Sequence, residues 1–233
     1  MNQVQSIPSG YSLEAVQAHF VAKVYWWMCV ALATTGGVCW YVVGRPDLMS
    51  TILSSQALFF GLIIAQLGLV IVLSAAMRKL SATAATGIFF LYAALTGLTL
   101  SVVVAAFTPQ SLATTFLVTA GTFGAMGIYG YTTKTDLTSI GNLAFMGLIG
   151  IIIASVVNMF FSSSLLYTAT SYVGVLVFVG LTAYDTQKIK RMATAFAAES
   201  DEERKGAIMG ALALYLDFIN LFLMLLRIFG RRR

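Results

Sequence analysis

The sequence predicts an all-α, polytopic membrane protein with seven transmembrane helices, and two observations lead to this fold class. Hydrophobic residues make up 59% of the chain and charged residues only 10%, with a mean hydropathy of +0.87, whereas about a quarter of the residues in a soluble domain are charged. The apolar residues also fall into seven runs, each close to the ~20 residues that cross ~30 Å of hydrocarbon. The composition therefore excludes an ordinary soluble domain.

Three segments organise the chain. Residues 1–22 form a mildly polar N-terminal tail that lacks the basic region and cleavage site of a signal peptide. Residues 23–229 form the transmembrane domain, and residues 230–233 form a basic C-terminal tail. The predicted spans are 24–43, 56–76, 82–107, 111–133, 139–161, 165–187 and 206–228. Prolines and clustered charges break the helices between them, including Arg45-Pro46-Asp47, Pro109 and a charged loop over 188–205.

Charges in the loops predict the orientation of the chain in its membrane. If the N-terminus is cytoplasmic, only Arg45 lies in the first two external loops, and nine basic residues lie inside: Lys23, Arg78, Lys79, Lys134, Lys188, Lys190, Arg191, Arg204 and Lys205. This bias follows the positive-inside rule. The net charge of +5 is therefore interpreted as a topological signal for the lipid bilayer, with no nucleic-acid partner. Seven spans place Arg231–Arg233 outside, whereas a re-entrant last segment would return them inside.

One stripe of glycines is interpreted as a helix-packing face in preference to a pore lining, because small residues let membrane helices approach closely. The stripe lies on the fourth span and consists of Gly121, Gly124, Gly127 and Gly130.

The last span carries a single carboxylate, Asp217, near its middle. An ionised Asp at the bilayer centre costs roughly 2.5–3.5 kcal/mol on insertion scales, so it normally faces a bundle interior, a water-filled cavity or a partner. A stripe of small and polar residues shares its helical face: Gly206, Gly210, Ala213, Asn220 and Met224. Asn220, one turn after Asp217, is the supporting polar residue of this seam.

Asp185 is the predicted partner of Asp217, since it lies near the end of the sixth span and the sixth and seventh helices are expected to pack antiparallel. Tyr184 precedes it as a second supporting polar residue. Two carboxylates that share a site cannot both ionise cheaply, so the pair is expected to share a proton. The same oxygens suit a weak, transit-type Ca²⁺ site. In the alternative interpretation, each Asp has a structural role only and forms hydrogen bonds with neighbouring helices.

Two runs of residues identify a family. The run Thr182-Ala183-Tyr184-Asp185-Thr186-Gln187-Lys188-Ile189 and the run from Ala211 through Asp217-Phe218-Ile219-Asn220 to Phe222 closely resemble the Bax-inhibitor family, also called the transmembrane Bax inhibitor motif family. Arg78 and Lys134–Leu137 also match family positions. The resemblance covers essentially the whole chain. The chain resembles a bacterial member, which implies a multi-pass protein of the bacterial inner membrane.

The resemblance implies a fold in which six helices surround a central seventh, and a pH-sensitive calcium leak channel gated by two aspartates and an arginine. Carried over by position, Asp185 and Asp217 are the sensor pair, and Arg78 is the latch that pairs with Asp185 in the closed state. Protonation of the pair would release Arg78 and open the path. Some relatives have a carboxylate where this chain has Gln66 or Leu67, so a third acidic ligand is not expected there.

Two other classes of function stay open. An intramembrane aspartyl protease would also use two aspartates on adjacent spans, but Tyr215-Leu216 precede Asp217 where such enzymes have Gly-x-Gly-Asp, so the chain is not expected to be an enzyme. An interaction protein that modulates a membrane protease or a stress response is the second class. No phosphate-binding glycine pattern or Cys/His cluster is present in the sequence. We therefore expect no tightly bound cofactor, with Ca²⁺ as the transported ion.

Overall fold

The computed structural model of the chain describes residues 12–196 and 200–233, and its regular structure there is helical apart from one β-bridge between Phe107 and Arg232. Residues 1–11, the first part of the predicted N-terminal tail, lie outside the described residues, as do 197–199. The α-helices are α1 (Leu13–Val43), α2 (Pro46–Ser54), α3 (Gln56–Ala76), α4 (Ala82–Ala105), α5 (Pro109–Thr132), α6 (Thr138–Phe161), α7 (Ser164–Met192) and α8 (Asp201–Phe229), with a 3₁₀ turn at Ala193–Ala195.

Seven helices in the described part of the chain, all except α2, are long and apolar enough to cross a membrane. The prediction of an all-α protein with seven spans is therefore confirmed. In the most apolar 18-residue stretch of α8, 67% of the residues are buried inside the protein. The corresponding share is 6–39% in the other six helices. This burial confirms that the C-terminal helix is the central one, because a helix facing lipid would expose one side.

The predicted break at Arg45-Pro46-Asp47 is confirmed, since α1 ends at Val43 and α3 begins at Gln56, but the connection holds a short helix that was not predicted. Helix α2 begins at Pro46, because proline fits the first turn of a helix and an acid there complements the helix dipole. With nine residues, α2 is about 14 Å long and too short to cross a membrane. The charged loop predicted over 188–205 is largely helical, since α7 continues to Met192 and α8 already begins at Asp201.

The start of the first predicted span also differs. Helix α1 begins at Leu13, so residues 13–22 of the predicted polar tail are helical. Ser12 caps this helix by accepting a hydrogen bond from the Ala15 N–H at 3.2 Å. The polar residues of this stretch hid the helix from a hydropathy search.

Two compact units divide the chain, and the first comprises the described residues up to Ala106 together with Ile189–Leu212. In this unit α1 packs along α4. A Cβ added to Gly97 would lie 2.7 Å from the Thr35 carbonyl oxygen, so only glycine permits this close approach. The Thr35 hydroxyl donates to the Ala93 carbonyl at 2.9 Å across the same interface.

Polar contacts complete the first unit. Gln66 of α3 donates to the Thr99 hydroxyl and accepts from the Thr96 hydroxyl of α4, both at 3.3 Å, so its amide is used in helix packing. At the start of α8, Glu203 forms a salt bridge of 3.2 Å with Lys23 of α1. This pair joins the third turn of α1 to the first turn of α8.

The second unit comprises Phe107–Lys188 and Ala213–Arg233, and small residues set its helix contacts. A Cβ on Gly130 of α5 would overlap with the backbone of Ala183 in α7, and a Cβ on Gly174 of α7 would lie 2.8 Å from the side chain of Met224 in α8. Phe218 of α8 packs edge-on against Phe123 of α5, with ring centroids 5.4 Å apart. These contacts bring α5, α7 and α8 together around the two aspartates.

The predicted glycine stripe is a packing face only in part. Gly130 makes a close contact, whereas a Cβ on Gly121 or Gly124 would meet no described atom within 4 Å. A three-residue step turns a helix by about 300°, so residues nine positions apart point in opposite directions. The regular spacing therefore spreads the glycines around α5 instead of aligning them.

Candidate functional site

Asp217 lies in the middle of α8 with its side chain enclosed by protein. The residue is 5% exposed, and its Oδ2 atom is buried with no hydrogen-bond partner in the described part of the chain. Buried polar atoms are almost always hydrogen-bonded, so an exception calls for a specific explanation. Asp217 is therefore a candidate functional residue.

Asp185 lies in α7 and belongs to the same compact unit as Asp217. It is half-buried, and its carboxylate is within electrostatic reach of Asp217. Lys188, one turn further along α7, brings a positive charge near Asp185 and lies 5.9 Å from the ring centre of Tyr184. The structure therefore brings the two predicted acids together and adds a lysine beside them.

The neighbours of Asp185 fix its position. The Tyr184 ring packs directly against Gly141 of α6, where any added Cβ would overlap with it. Gln187 accepts a hydrogen bond from the Leu137 N–H at 3.0 Å and donates to the Thr135 carbonyl at 2.8 Å. The residues on both sides of Asp185 thus tie α7 to α6 and to the turn between α5 and α6.

The remaining predicted residues are placed less directly. Asn220 is half-buried, and its amide donates to the Leu216 carbonyl of its own helix at 2.8 Å. Arg78 is exposed in the turn after α3 and belongs to the first unit, whereas both aspartates belong to the second. Its role as a latch for Asp185 stays a prediction.

Metal binding at the pair would rest on few ligands. Within residues 12–196 and 200–233, no group of three or more His, Cys, Asp and Glu side chains is placed to hold a metal ion. A calcium ion takes six to eight oxygen ligands, so two carboxylates suit brief contact with a cation better than tight binding. The chemistry available to the pair is the uptake and release of a proton and weak attraction of a cation.

Sequence reasoning did not single out Gln187 and Lys188 as members of the site. Both lie in the run that carries the family resemblance, so the motif contained the signal. The hydrogen bonds of Gln187 go to residues about 50 positions away in the sequence, and no local pattern predicts them.

The fold and the site define a class: a polytopic α-helical membrane protein with two neighbouring aspartates, one enclosed in its most buried helix. The family described as "Inhibitor of apoptosis-promoting Bax1" matches residues 17–233. The chain belongs to this Bax inhibitor family.

Bacterial relatives cover nearly the whole chain. An Escherichia coli K12 protein named "Inner membrane protein YbhL" is 56% identical over 215 residues, which is 92% of each chain. An uncharacterized protein of Borreliella burgdorferi is 45% identical over 218 residues, 94% of each chain, and one of Deinococcus radiodurans is 44% identical over 213 residues, 91% of this chain and 90% of its own. Together with the seven candidate spans, these matches identify a multi-pass inner-membrane protein.

Proposed function

We propose that this protein is a pH-sensitive cation leak channel of the inner membrane, with Ca²⁺ as the transported ion and Asp185 and Asp217 as its proton sensor. The observation that carries the proposal is the enclosed Asp217 carboxylate, which has one oxygen without a hydrogen bond in the described chain and a second carboxylate within electrostatic reach. Two such acids respond to pH as one unit, because ionising the second beside the first is unfavourable.

The purely structural interpretation of the acids is weaker. An aspartate kept for helix packing would use its oxygens in hydrogen bonds, as Gln66 and Thr35 do in the first unit. Asp217 leaves Oδ2 unpaired within the described residues. Placing a charged side chain inside a membrane helix costs roughly 2.5–3.5 kcal/mol, so a functional role is the better account.

Flux measurements on purified protein in liposomes test the proposal. The liposomes carry a Ca²⁺ indicator, and the external pH is stepped from alkaline to mildly acidic. A difference of about 1.4 kcal/mol in proton binding between closed and open states changes their ratio roughly tenfold. The parent flux should therefore rise about tenfold on acidification. Asp185→Asn and Asp217→Asn should respond less than about twofold, because the remaining acid has lost the neighbouring carboxylate that makes proton binding differ between the two states.

A matched control separates the sensor from a general effect of removing an acid. Asp47 is exposed at the start of α2, so Asp47→Asn makes the same chemical change away from the pair and should keep the parent pH profile. If both single variants of the pair also keep that profile while folding normally, the acids are structural. If the parent carries no flux but a membrane protease copurifies with it from native membranes, the protein belongs to the interaction class.

A further inference from the structure

A half-open cavity lies where α5 begins and α8 ends, away from the aspartate pair in sequence. Its volume is about 490 Å³, far more than a single water molecule needs. The residues that line it all belong to the second unit. They include Gln110, Ser111, Thr114, Thr115, Phe229 and Arg231.

The C-terminal segment is fixed beside this cavity by its backbone. The Arg231 N–H donates to the Ser111 hydroxyl at 2.9 Å, and the Arg231 carbonyl accepts from the Thr108 N–H at 3.0 Å. Phe107 and Arg232 form the adjoining β-bridge. These contacts hold the Arg231 backbone at the rim, and within its own unit the described residues offer its guanidinium no salt bridge.

The first turn of α5 adds backbone donors to this positive charge. The Thr108 side chain makes no capping hydrogen bond, and Pro109 has no N–H to offer. The N–H groups of Gln110 and Ser111 are then free of intrahelical partners, as at the start of any helix. A helix N-terminus with unused donors attracts anions, and none of the residues lining the cavity is acidic.

An enclosed hydroxyl points independently to a ligand. Thr115 is 1% exposed, lines the cavity, and its Oγ1 has no hydrogen-bond partner among the described residues. Ser111 lies three and four positions before Thr114 and Thr115, so the three side chains lie on the same side of α5. A buried hydroxyl without a partner is costly, and an oxyanion in the cavity would satisfy it.

The edge of the cavity is apolar. Phe229 lines it and is 58% exposed, and Phe116 and Leu117, which follow the lining residue Thr115 on α5, are 50% and 69% exposed. A ligand that combines a phosphate with acyl chains would satisfy the donors and cover these side chains. We propose that this cavity binds the phosphate headgroup of an anionic phospholipid, with Arg231, the α5 N-terminus and the Thr115 hydroxyl as its ligands.

The experiment uses full-length protein in detergent, with lipid binding measured by native mass spectrometry and thermal stability measured in parallel. The probes are short-chain phosphatidylglycerol, short-chain phosphatidylcholine and inorganic phosphate. Phosphatidylglycerol should bind and raise the melting temperature, and phosphatidylcholine should bind more weakly because the cavity has no acid for the choline cation. A hydrogen bond to a charged group contributes about 1.5–3 kcal/mol, so Arg231→Gln should weaken binding about tenfold or more.

Two further variants complete the test. Thr115→Val removes only the hydroxyl and should weaken binding several-fold, whereas Arg233→Gln removes the same charge from an exposed residue that does not line the cavity and should change it less than about twofold. Equal losses in Arg231→Gln and Arg233→Gln would show a diffuse charge effect and overturn the site. Equal binding of phosphatidylcholine, or inorganic phosphate binding as tightly as the lipid, would overturn the lipid assignment. If Thr115→Val fails to fold, the difference in lipid binding between Arg231→Gln and Arg233→Gln still tests the site.

Discussion

At the residue scale, Asp217 is the side chain whose placement is hardest to explain by stability. It is almost fully buried within an apolar helix, and one of its oxygens has no partner in the described chain. A buried polar atom left without a hydrogen bond costs about 1–3 kcal/mol. A leucine would pack there at lower cost, so the acid is best explained by its chemistry.

The two acids could be predicted from sequence because a carboxylate inside an apolar run stands out. Thr115 could not. Threonine is common in membrane helices, where its hydroxyl usually bonds to the carbonyl four residues earlier, as Thr119 does to Thr115 at 2.7 Å. Only the coordinates reveal that the Thr115 hydroxyl lacks such a partner.

The latch gives a prediction for one residue. If Arg78 pairs with Asp185 in the closed state, Arg78→Ala should leak Ca²⁺ from liposomes even at alkaline pH. Arg78→Lys should be intermediate, because lysine keeps the charge but cannot reproduce a bidentate pair with a carboxylate. Flux at alkaline pH, compared with the parent, is the measurement.

Lys79 provides the control for this prediction. It is the neighbouring exposed basic residue in the same turn, so Lys79→Ala removes the same charge from the loop and should stay closed. A tightly closed Arg78→Ala channel at alkaline pH would leave Arg78 as a positive-inside anchor.

At the element scale, the sequence predicted the seven long helices, but it did not predict the short helix α2. Each long apolar run has a single physical interpretation, whereas Pro46 fits both a break and a helix start. The structure shows a helix start, with Asp47 in the first turn. The spacing of the glycines in α5 likewise does not predict which of them faces another helix.

Two glycines of the same helix offer a matched pair for testing this packing. An alanine at Gly130 would overlap with the Ala183 backbone, which cannot move aside as a flexible side chain would. Gly130→Ala should therefore lower the free energy of unfolding by about 1–3 kcal/mol, the range for overpacked sites. Gly121→Ala enters open space and should be neutral or stabilising by up to about 1 kcal/mol.

Thermal unfolding of the purified variants in one detergent measures this difference. A Gly130→Ala protein as stable as the parent would show that α5 and α7 do not depend on this close approach. Because Ala183 lies two residues before Asp185, the same variant is also expected to shift the pH response of the flux.

At the scale of the whole molecule, contacts inside each unit support the predicted topology. The salt bridge between Lys23 and Glu203 joins the N-terminal half of α1 to the first turn of α8. The hydrogen bond from Arg231 to Ser111 joins the end of α8 to the beginning of α5. Helix α8 is continuous over 29 residues, about 43 Å, so it favours a full crossing over the re-entrant alternative.

The charge bias of the loops then predicts which side is which. With Lys23, Arg78 and Lys134 in the cytoplasm, residue 202 should lie inside and residue 233 outside.

Single cysteines test this in a chain whose own Cys29 and Cys39 are replaced by serine. Glu202 and Arg233 are both exposed, so Glu202→Cys and Arg233→Cys should fold normally. In intact spheroplasts, a membrane-impermeant maleimide should label Arg233→Cys at once and Glu202→Cys only after lysis. Labelling of both cysteines before lysis, or of neither, would contradict a full crossing by α8, and early labelling of Glu202→Cys alone would contradict the predicted orientation.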